Sequence, residues 1–400
     1  MAVQRALAPR AYGARVADGW RELRLALRQI FTLPPLGGYR LTPRRRLNLY
    51  LNRLELLRGR VHLRSYPTRL VVEPASACNL RCPYCLTGAG EVGRPPRLMT
   101  MELYHRLLDE LGPYLLEIEA FHWGEPLLNP HLDAMIAAAS ARGIATTINT
   151  NFSLPFDRAR AERLVASGLS ELTVSVDGAT QASYEQYRVR GDLQRVRDNC
   201  RLVAEAKQRL GALGPRLNLE FHVFPHNVDD VDGMQAMASE LGFALRLFKG
   251  VVPGPDWDTA GRFAYCVAPI PFPCIFLWGT AVVSSDGGVL PCRGGFQRSD
   301  DMGRLAVRPD EIGTARFRDI WNGPRFRSAR RFYRRREGSA AEHAQICFDC
   351  PNTEMWERWK THRGGGGRAE TFDIGYSLNG IWNYFWARGR RRGDPGRRTL

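Results

Sequence analysis

Lysine is almost missing from this chain: of its 57 basic residues only Lys207, Lys249 and Lys360 are lysine, and the rest are arginine. So even a bias reads as compositional, and the arginines are not taken as arginine-specific chemistry. No apolar run approaches the roughly 18–20 residues of a membrane-spanning helix. The N-terminus lacks a compact apolar stretch with a cleavage site, so no secretory signal is expected. No recognisable nucleic-acid-binding module accompanies the arginines, which argues against nucleic acid as a partner despite a net charge of +16. The nine cysteines fall partly into C-x2-C patterns. In a reducing cytosol such patterns mean metal more often than disulfides. A cytoplasmic protein is therefore expected.

With 400 residues and 44% hydrophobic content the chain is long enough for two domains. Its charge sits at the ends. Residues 1–60 carry 13 arginines against Asp18, Glu22 and Glu55, a net +10. Residues 381–400 carry six against Asp394, a net +5, which leaves the body at +1. Over 15–31, Val16, Trp20, Leu23, Leu27, Ile30 and Phe31 recur at helical spacing, with Arg15, Arg21, Arg24 and Arg28 mostly on other faces. The tail sets Trp382, Tyr384, Phe385 and Trp386 before Arg388, Arg390, Arg391 and Arg392. Both ends fit peripheral contact with an anionic inner-membrane face. The alternative is that both fold onto the protein's own body.

A further helical pattern runs through Leu47, Leu51, Leu54 and Leu57. Strands and helices then alternate, which argues for a parallel sheet. Strands are expected over 69–73, 118–123, 145–150, 171–176, 217–224 and 244–251. Helices are expected over 99–111, 131–142, 156–167, 181–209 with a break near Gly191, and 228–241. The fold class is α/β: a partial (β/α)6 TIM-type barrel with a helical N-terminal extension and a small cysteine-rich C-terminal domain. In such barrels chemistry sits at the C-terminal ends of the strands. The expected divisions are 1–66, a barrel over 67–252, a proline-rich linker over 253–273, a cysteine-bearing domain over 274–360, and a tail over 361–400.

Directly after the first strand comes Cys78-Asn79-Leu80-Arg81-Cys82-Pro83-Tyr84-Cys85. Three thiolates so close suit a soft metal centre. They are one short of the four that a cubane iron–sulfur cluster needs, so one iron would be left for another ligand. A zinc knuckle is the alternative, but zinc wants a fourth Cys or His nearby, and the next one downstream is His105. Trp123-Gly124-Glu125-Pro126 ends the second strand, Asn151 follows the third, and Ser175 and Asp177 end the fourth, with Arg188 beyond. Cys274, Cys292, Cys347 and Cys350 are enough for one fully ligated cubane, with a zinc ribbon as the alternative. Cys200 reads as a core residue. Cys266 reads as core, as a substitute ligand or as a hydrogen-atom donor. His122 either touches the site or is a satisfied core residue.

The C-x3-C-x2-C spacing and its surroundings resemble the radical SAM superfamily. Trp123-Gly124-Glu125-Pro126 resembles that family's Gly-Gly-Glu-Pro motif, with tryptophan in the first place. The segments 278–292 and Asp319-Ile320-Trp321, with the final Cys347 and Cys350, resemble its SPASM extension in a reduced or twitch-like form. The resemblance implies that Cys78, Cys82 and Cys85 hold a 4Fe–4S cluster whose open iron binds S-adenosylmethionine. Reduction then frees a 5′-deoxyadenosyl radical that takes a hydrogen atom from substrate. It also implies Tyr84 at the adenine, Glu125 on the ammonium, and Gly124, Pro126, Asn151, Ser175, Asp177 and Arg188 about the cofactor. A second 4Fe–4S cluster would sit on Cys274, Cys292, Cys347 and Cys350. A flavodoxin- or ferredoxin-type protein would supply electrons.

The expected substrate is a polar natural-product or envelope molecule of sugar, aminoglycoside or nucleoside type. The expected outcome is dehydrogenation, or epimerisation with Cys266 as hydrogen donor. The alternatives are maturation of a ribosomally made peptide, modification of a lipid-linked substrate, and an electron carrier without its own catalysis. An electron carrier has no need of groups such as Glu125.

Overall fold

In this computed structural model residues 38–250, 274, 276–306, 316–335, 345–348 and 350 are described. The residues 15–31, 253–273 with Cys266, and 351–400 of the sequence expectations lie outside the described residues.

Six strands carry the barrel: β1 (Arg69–Val72), β2 (Glu117–Glu119), β3 (Ala145–Thr150), β4 (Glu171–Ser175), β5 (Arg216–Val223) and β6 (Ala244–Lys249). All pair parallel and in chain order, with Leu70 opposite Ile118 and Ser175 opposite Glu220. A parallel neighbour requires a crossover, and a helix is the compact way to make one. The helices are α1 (Pro43–Leu57), α2 (Met101–Leu111), α3 (Leu132–Ala141), α4 (Arg158–Ala166), α5 (Gln181–Tyr187), α6 (Leu193–Arg209) and α7 (Val231–Leu241). Thr42, Thr100, Asp157, Thr180 and Asp192 each accept from an N–H three residues on, which fixes where five of them start.

The sheet does not close on itself. β7 (Thr280–Val283) lies parallel beside β1, with Ala281 opposite Leu70. β8 (Gly288–Leu290) and β9 (Gly303–Arg304) follow antiparallel, so the order is β6-β5-β4-β3-β2-β1-β7-β8-β9. The six-unit open barrel expected from the alternation is present, and the cysteine-bearing segment extends its sheet. Around that segment pack α8 (Phe276–Gly279), α9 (Phe317–Trp321), α10 (Pro324–Arg335) and α11 (Gln345–Phe348). One hydrophobic cluster runs from Leu70, Ile118, Ile148 and Leu219 of the barrel to Trp278, Val289, Trp321 and Phe326.

Two differences from the sequence reading have physical causes. β2 stops at Glu119, not at 123, because His122 and Trp123 leave the sheet to bond the segment after Cys292. The break expected near Gly191 is present: residues 188–192 separate α5 from α6 and bring Arg188 onto Asp177. Three leucines of α1 face outward: Leu47 is 69% exposed, and Leu54 and Leu57 are also exposed, while Leu49 is buried. Beside Leu49 the buried side of α1 is polar, and its four polar side chains are each hydrogen-bonded. Arg45 donates to the carbonyls of Arg40, Gly112, Arg142 and Gly143, at the turns that enter β2 and β3. Asn48 bonds Tyr66, Asn52 bonds Ser65 and the Trp278 carbonyl, and Glu55 accepts from Arg64 and Ser65. Among the described residues no helix is long and apolar enough to cross a membrane.

Candidate active site

β1 delivers the chain straight into the loop of Cys78, Cys82 and Cys85. Two glycines are required by its packing. A Cβ at Gly88 would stand 2.4 Å from the Cys82 carbonyl oxygen, and one at Gly124 only 2.0 Å from that of Ala75. Gly124 therefore lets the segment after β2 lie against the cysteine loop. The Glu125 N–H then donates to Ala77 O at 2.8 Å.

Cys82 is buried and Cys78 and Cys85 are half-buried. Burial pushes the Cys78 thiol up to about 12 and that of Cys82 up to about 11, and the nearby Cys85 sulfur adds to both. Ionising them is costly unless a cation takes the sulfurs, which is the situation of metal thiolates. Donors point at them: Leu80 N–H at 3.4 Å and Asn151 Nδ2 at 3.6 Å from Cys78 Sγ, and Arg188 at Cys82.

Glu125 is buried on the same side. Its carboxylate accepts from Leu127 N–H at 3.0 Å, the Thr150 hydroxyl at 2.7 Å and Asn151 N–H at 2.8 Å. Burial raises its pKa, and these three donors only partly offset that. Pro126 opens the short turn behind it. Asn151 bonds Asn79 Oδ1 at 2.9 Å and so ties β3 to the cysteine loop. The next residue, Phe152, has φ +54 with its ring fully buried. That strain costs on the order of 1–3 kcal/mol.

Asp177 accepts from Arg188 Nε at 2.5 Å and from the His222 N–H at 2.7 Å. Burial is the largest single influence on Asp177 and acts upward, but Arg188 and His222 together hold it below the usual carboxylate range. Arg188 thus arrives at Cys82 with one edge already bound. Tyr84 stacks on Tyr187 at 5.9 Å and leans on Phe224 at 6.2 Å, forming an aromatic wall. Ser175 stands apart from this group: its hydroxyl donates to Asn149, which donates to Glu220, within the barrel wall. A cavity of about 610 Å³ runs inside that wall past Arg69, Glu119, Asn149, Glu220 and Arg246. The sequence reading missed Asn79, Asn149, Tyr187, Glu220 and His222. Asn149 and Glu220 were findable, as polar residues at every second position near the ends of strands.

The second group assembles from far apart. Cys274 precedes α8, Cys292 follows β8, and Cys347 and Cys350 come at α11. Burial raises Cys274 to about 12, and its neighbour Cys350 adds to this. Cys292 and Cys347 are raised further, each by burial and by the other cysteines of the set. Gly294 N–H points at Cys292, and Phe276 and Leu277 N–H at Cys274. Tyr333 is buried among the four. Cys200 is buried in α6, as a core residue. His122 is satisfied, bonding the Arg293 carbonyl.

Both donor sets fit iron–sulfur clusters: soft sulfurs, shielded from water, with N–H groups aimed at them. Among the described residues no three Cys, His, Asp or Glu side chains lie close enough to share one metal ion, as a zinc site requires. A cubane reaches ligands farther apart, because each thiolate binds a different iron.

The comparisons with known proteins agree with this chemistry. A family model of the radical SAM superfamily matches residues 72–222, and one of an iron–sulfur cluster-binding domain, SPASM, matches 274–351. The PqqA peptide cyclase of Xanthomonas oryzae pv. oryzae is 25% identical over 324 residues, covering 72% of this chain and 81% of its own. The mycofactocin maturase of Mycobacterium ulcerans is 28% identical over 182 residues, or 45% of this chain and 47% of the relative. The chain thus spans about half the length of the mycofactocin maturase it matches. Among solved structures, Streptococcus suis SuiB bound to S-adenosylmethionine is similar with a TM-score of 0.50 and 14% identity, covering 70% of this chain and 71% of that one. The chain belongs to the radical SAM superfamily and carries an SPASM domain, and with them come S-adenosylmethionine, the 4Fe–4S cluster that binds it and an auxiliary 4Fe–4S cluster.

Proposed function

We propose that this radical SAM enzyme modifies a peptide. The observation that carries the reading is the long match to the PqqA peptide cyclase, over 81% of that relative. The mycofactocin maturase similarity points the same way over a shorter span. The sugar, aminoglycoside or nucleoside substrate expected from the sequence has less behind it.

In this reading Cys78, Cys82 and Cys85 hold the first cluster, and Cys274, Cys292, Cys347 and Cys350 the auxiliary one. Bound together, the reduced first cluster and S-adenosylmethionine supply a carbon radical able to take a hydrogen atom from an unactivated C–H bond. The chain's own residues bind and orient. Glu125 accepts from the ammonium of the cofactor, Asp177 aims Arg188 at its carboxylate, and the wall of Tyr84 receives its adenine. Gly124 gives close backbone approach, Pro126 fixes the turn behind Glu125, and Asn151 holds the cysteine loop to β3. Ser175 serves the barrel wall that faces substrate. A flavodoxin- or ferredoxin-type protein delivers the electron. Dehydrogenation, or epimerisation with Cys266 as donor, follows hydrogen abstraction.

The test is 5′-deoxyadenosine formation by the reduced enzyme, with a panel of short peptides in one arm and of aminoglycosides and nucleosides in the other. Stimulation by peptide, with deuterium carried from a labelled peptide into 5′-deoxyadenosine, supports the reading. Stimulation only in the second arm overturns it.

A second reading concerns location. The outward stripe of Leu47, Leu54 and Leu57 on α1 lies among the exposed Arg46, Arg58 and Arg60, and the one acid of α1, Glu55, is turned inward. This surface suits an anionic bilayer. Sedimentation with anionic vesicles tests this: Leu47→Glu with Leu54→Glu should release bound protein, and binding unchanged by the pair overturns it.

A further inference from the structure

His122 and Trp123 stand between the two metal sites and touch both loops. The Trp123 carbonyl accepts from the Thr87 hydroxyl at 2.7 Å, two residues past Cys85. Its indole N–H donates to the Gly295 carbonyl at 3.0 Å, three residues past Cys292. Its ring meets that of Phe296 edge-on, with centroids 6.2 Å apart. His122 Nε2 lies 3.0 Å from the Arg293 carbonyl. Its other ring nitrogen, Nδ1, lies 3.6 Å from Glu73, whose second carboxylate oxygen accepts from the Ser285 N–H and hydroxyl. Both Glu73 and the His122 side chain are buried, at 2% and 3% exposure. With Nδ1 unprotonated or shared with Glu73, a proton on Nε2 makes the Arg293 contact a donated hydrogen bond.

We propose that His122 and Trp123 are positioning residues that clamp the loop after Cys292 to the loop carrying Glu125, so that the auxiliary site and the S-adenosylmethionine site are held in one register. The proposal rests on the two-cluster assignment and is independent of the substrate. It also gives a reason for tryptophan in the place where the family motif it resembles has glycine. A glycine there has no side chain to cross to Gly295, whereas the indole spans the gap and ends in a donor. The carbonyls of Arg293 and Gly295 flank Gly294, whose N–H points at the sulfur of Cys292. Fixing both carbonyls fixes the direction of that N–H. The same two residues share their backbone with Gly124 and Glu125, which are seated on the cysteine loop. A movement at either loop is therefore passed to the other through two side chains.

The experiment uses the full chain in two states. Trp123→Phe keeps an aromatic ring beside Phe296 and removes the indole donor. His122→Leu removes the ring nitrogens, and His122→Gln restores a donor. Without metal, hydrogen exchange is followed at amides 293–296, with α6 as internal reference. Loss of one net hydrogen bond speeds local opening by about fivefold. Trp123→Phe and His122→Leu should show that increase at 293–296 only, and His122→Gln should recover most of the loss. In a second arm the same changes are made in a Cys78→Ala, Cys82→Ala, Cys85→Ala background, where reconstituted iron can sit only at the auxiliary site. Release of that iron to a chelator should be about fivefold faster in Trp123→Phe than in the parent. Exchange and iron release at parental rates would overturn the clamp. If the background protein takes up no iron, the auxiliary-cluster assignment fails, while the exchange arm still decides the clamp.

Discussion

The two thiol sites are built in opposite ways. Cys78, Cys82 and Cys85 lie on one loop, and charged side chains crowd around them: Glu125, Asp177 and Arg188. Cys274, Cys292, Cys347 and Cys350 come from three separate segments, and around them stand backbone N–H donors, the buried Tyr333 and one buried acid, Asp300. The first site is short of one ligand and rich in groups that recognise a charged molecule. The second has four candidate ligands, and the acid beside them, Asp300, is buried and accepts from the Phe296 and Gln297 N–H groups. In the proposed assignment the difference separates a centre that would bind and activate a cofactor from one that would be closed. Ligand count alone suggests this division, and the surroundings of each site give it a physical basis.

The strongest way to break the comparison is to remove one site at a time. Anaerobically reconstituted protein should hold about eight irons from two cubanes. Replacing Cys78, Cys82 and Cys85 with alanine should leave about four. An iron assay that finds the full complement in the triple variant would mean that the first site is misassigned.

A smaller but still large effect is expected at the buried ion pair beside Cys82. Asp177→Asn strands the Arg188 guanidinium and should destabilise the protein by about 3–5 kcal/mol. Adding Arg188→Met in the same chain should recover part of that loss. Thermal unfolding of the two variants checks it, and additive losses would show that the pair is not coupled.

Glu125→Gln keeps the size of the side chain and removes its charge. Charge-assisted hydrogen bonds are worth about 1.5–3 kcal/mol, so S-adenosylmethionine should bind at least about tenfold more weakly, with iron content unchanged. Titration calorimetry that finds unchanged affinity would remove Glu125 from the site. The smallest effect is expected at the closed site. Tyr333→Phe removes one buried hydroxyl and should cost about 1 kcal/mol, while 5′-deoxyadenosine formation stays at the wild-type rate. A collapse of that activity would tie the two sites together more tightly than the clamp at Trp123 requires.

The same contrast explains what was legible in the sequence. The cysteine loop could be read because its ligands are consecutive and the loop follows a strand of plainly apolar residues. The parallel strands were legible from alternation, and β3 was placed to the residue. The partners that complete the site were not legible, because they depend on pairing across the barrel. Asn149 and Glu220 meet only once β3, β4 and β5 are in register, whereas Asp177 and Arg188, both named from the sequence, are joined locally by the turn after α5. Leu47, Leu54 and Leu57 mark a helix correctly but say nothing of which way it faces. α1 turns its polar side inward because Arg45, Asn48, Asn52 and Glu55 find backbone and hydroxyl partners there. The crossing of His122 and Trp123 to Arg293 and Gly295 joins residues more than 170 apart and left no local trace.

The most direct measurement is 5′-deoxyadenosine produced per protein after chemical reduction with S-adenosylmethionine present, in two variants side by side. One lacks Cys78, Cys82 and Cys85, and the other lacks Cys274, Cys292, Cys347 and Cys350. The account predicts no 5′-deoxyadenosine from the first and continued formation from the second at its remaining iron content. Formation by the variant without Cys78, Cys82 and Cys85 would contradict it.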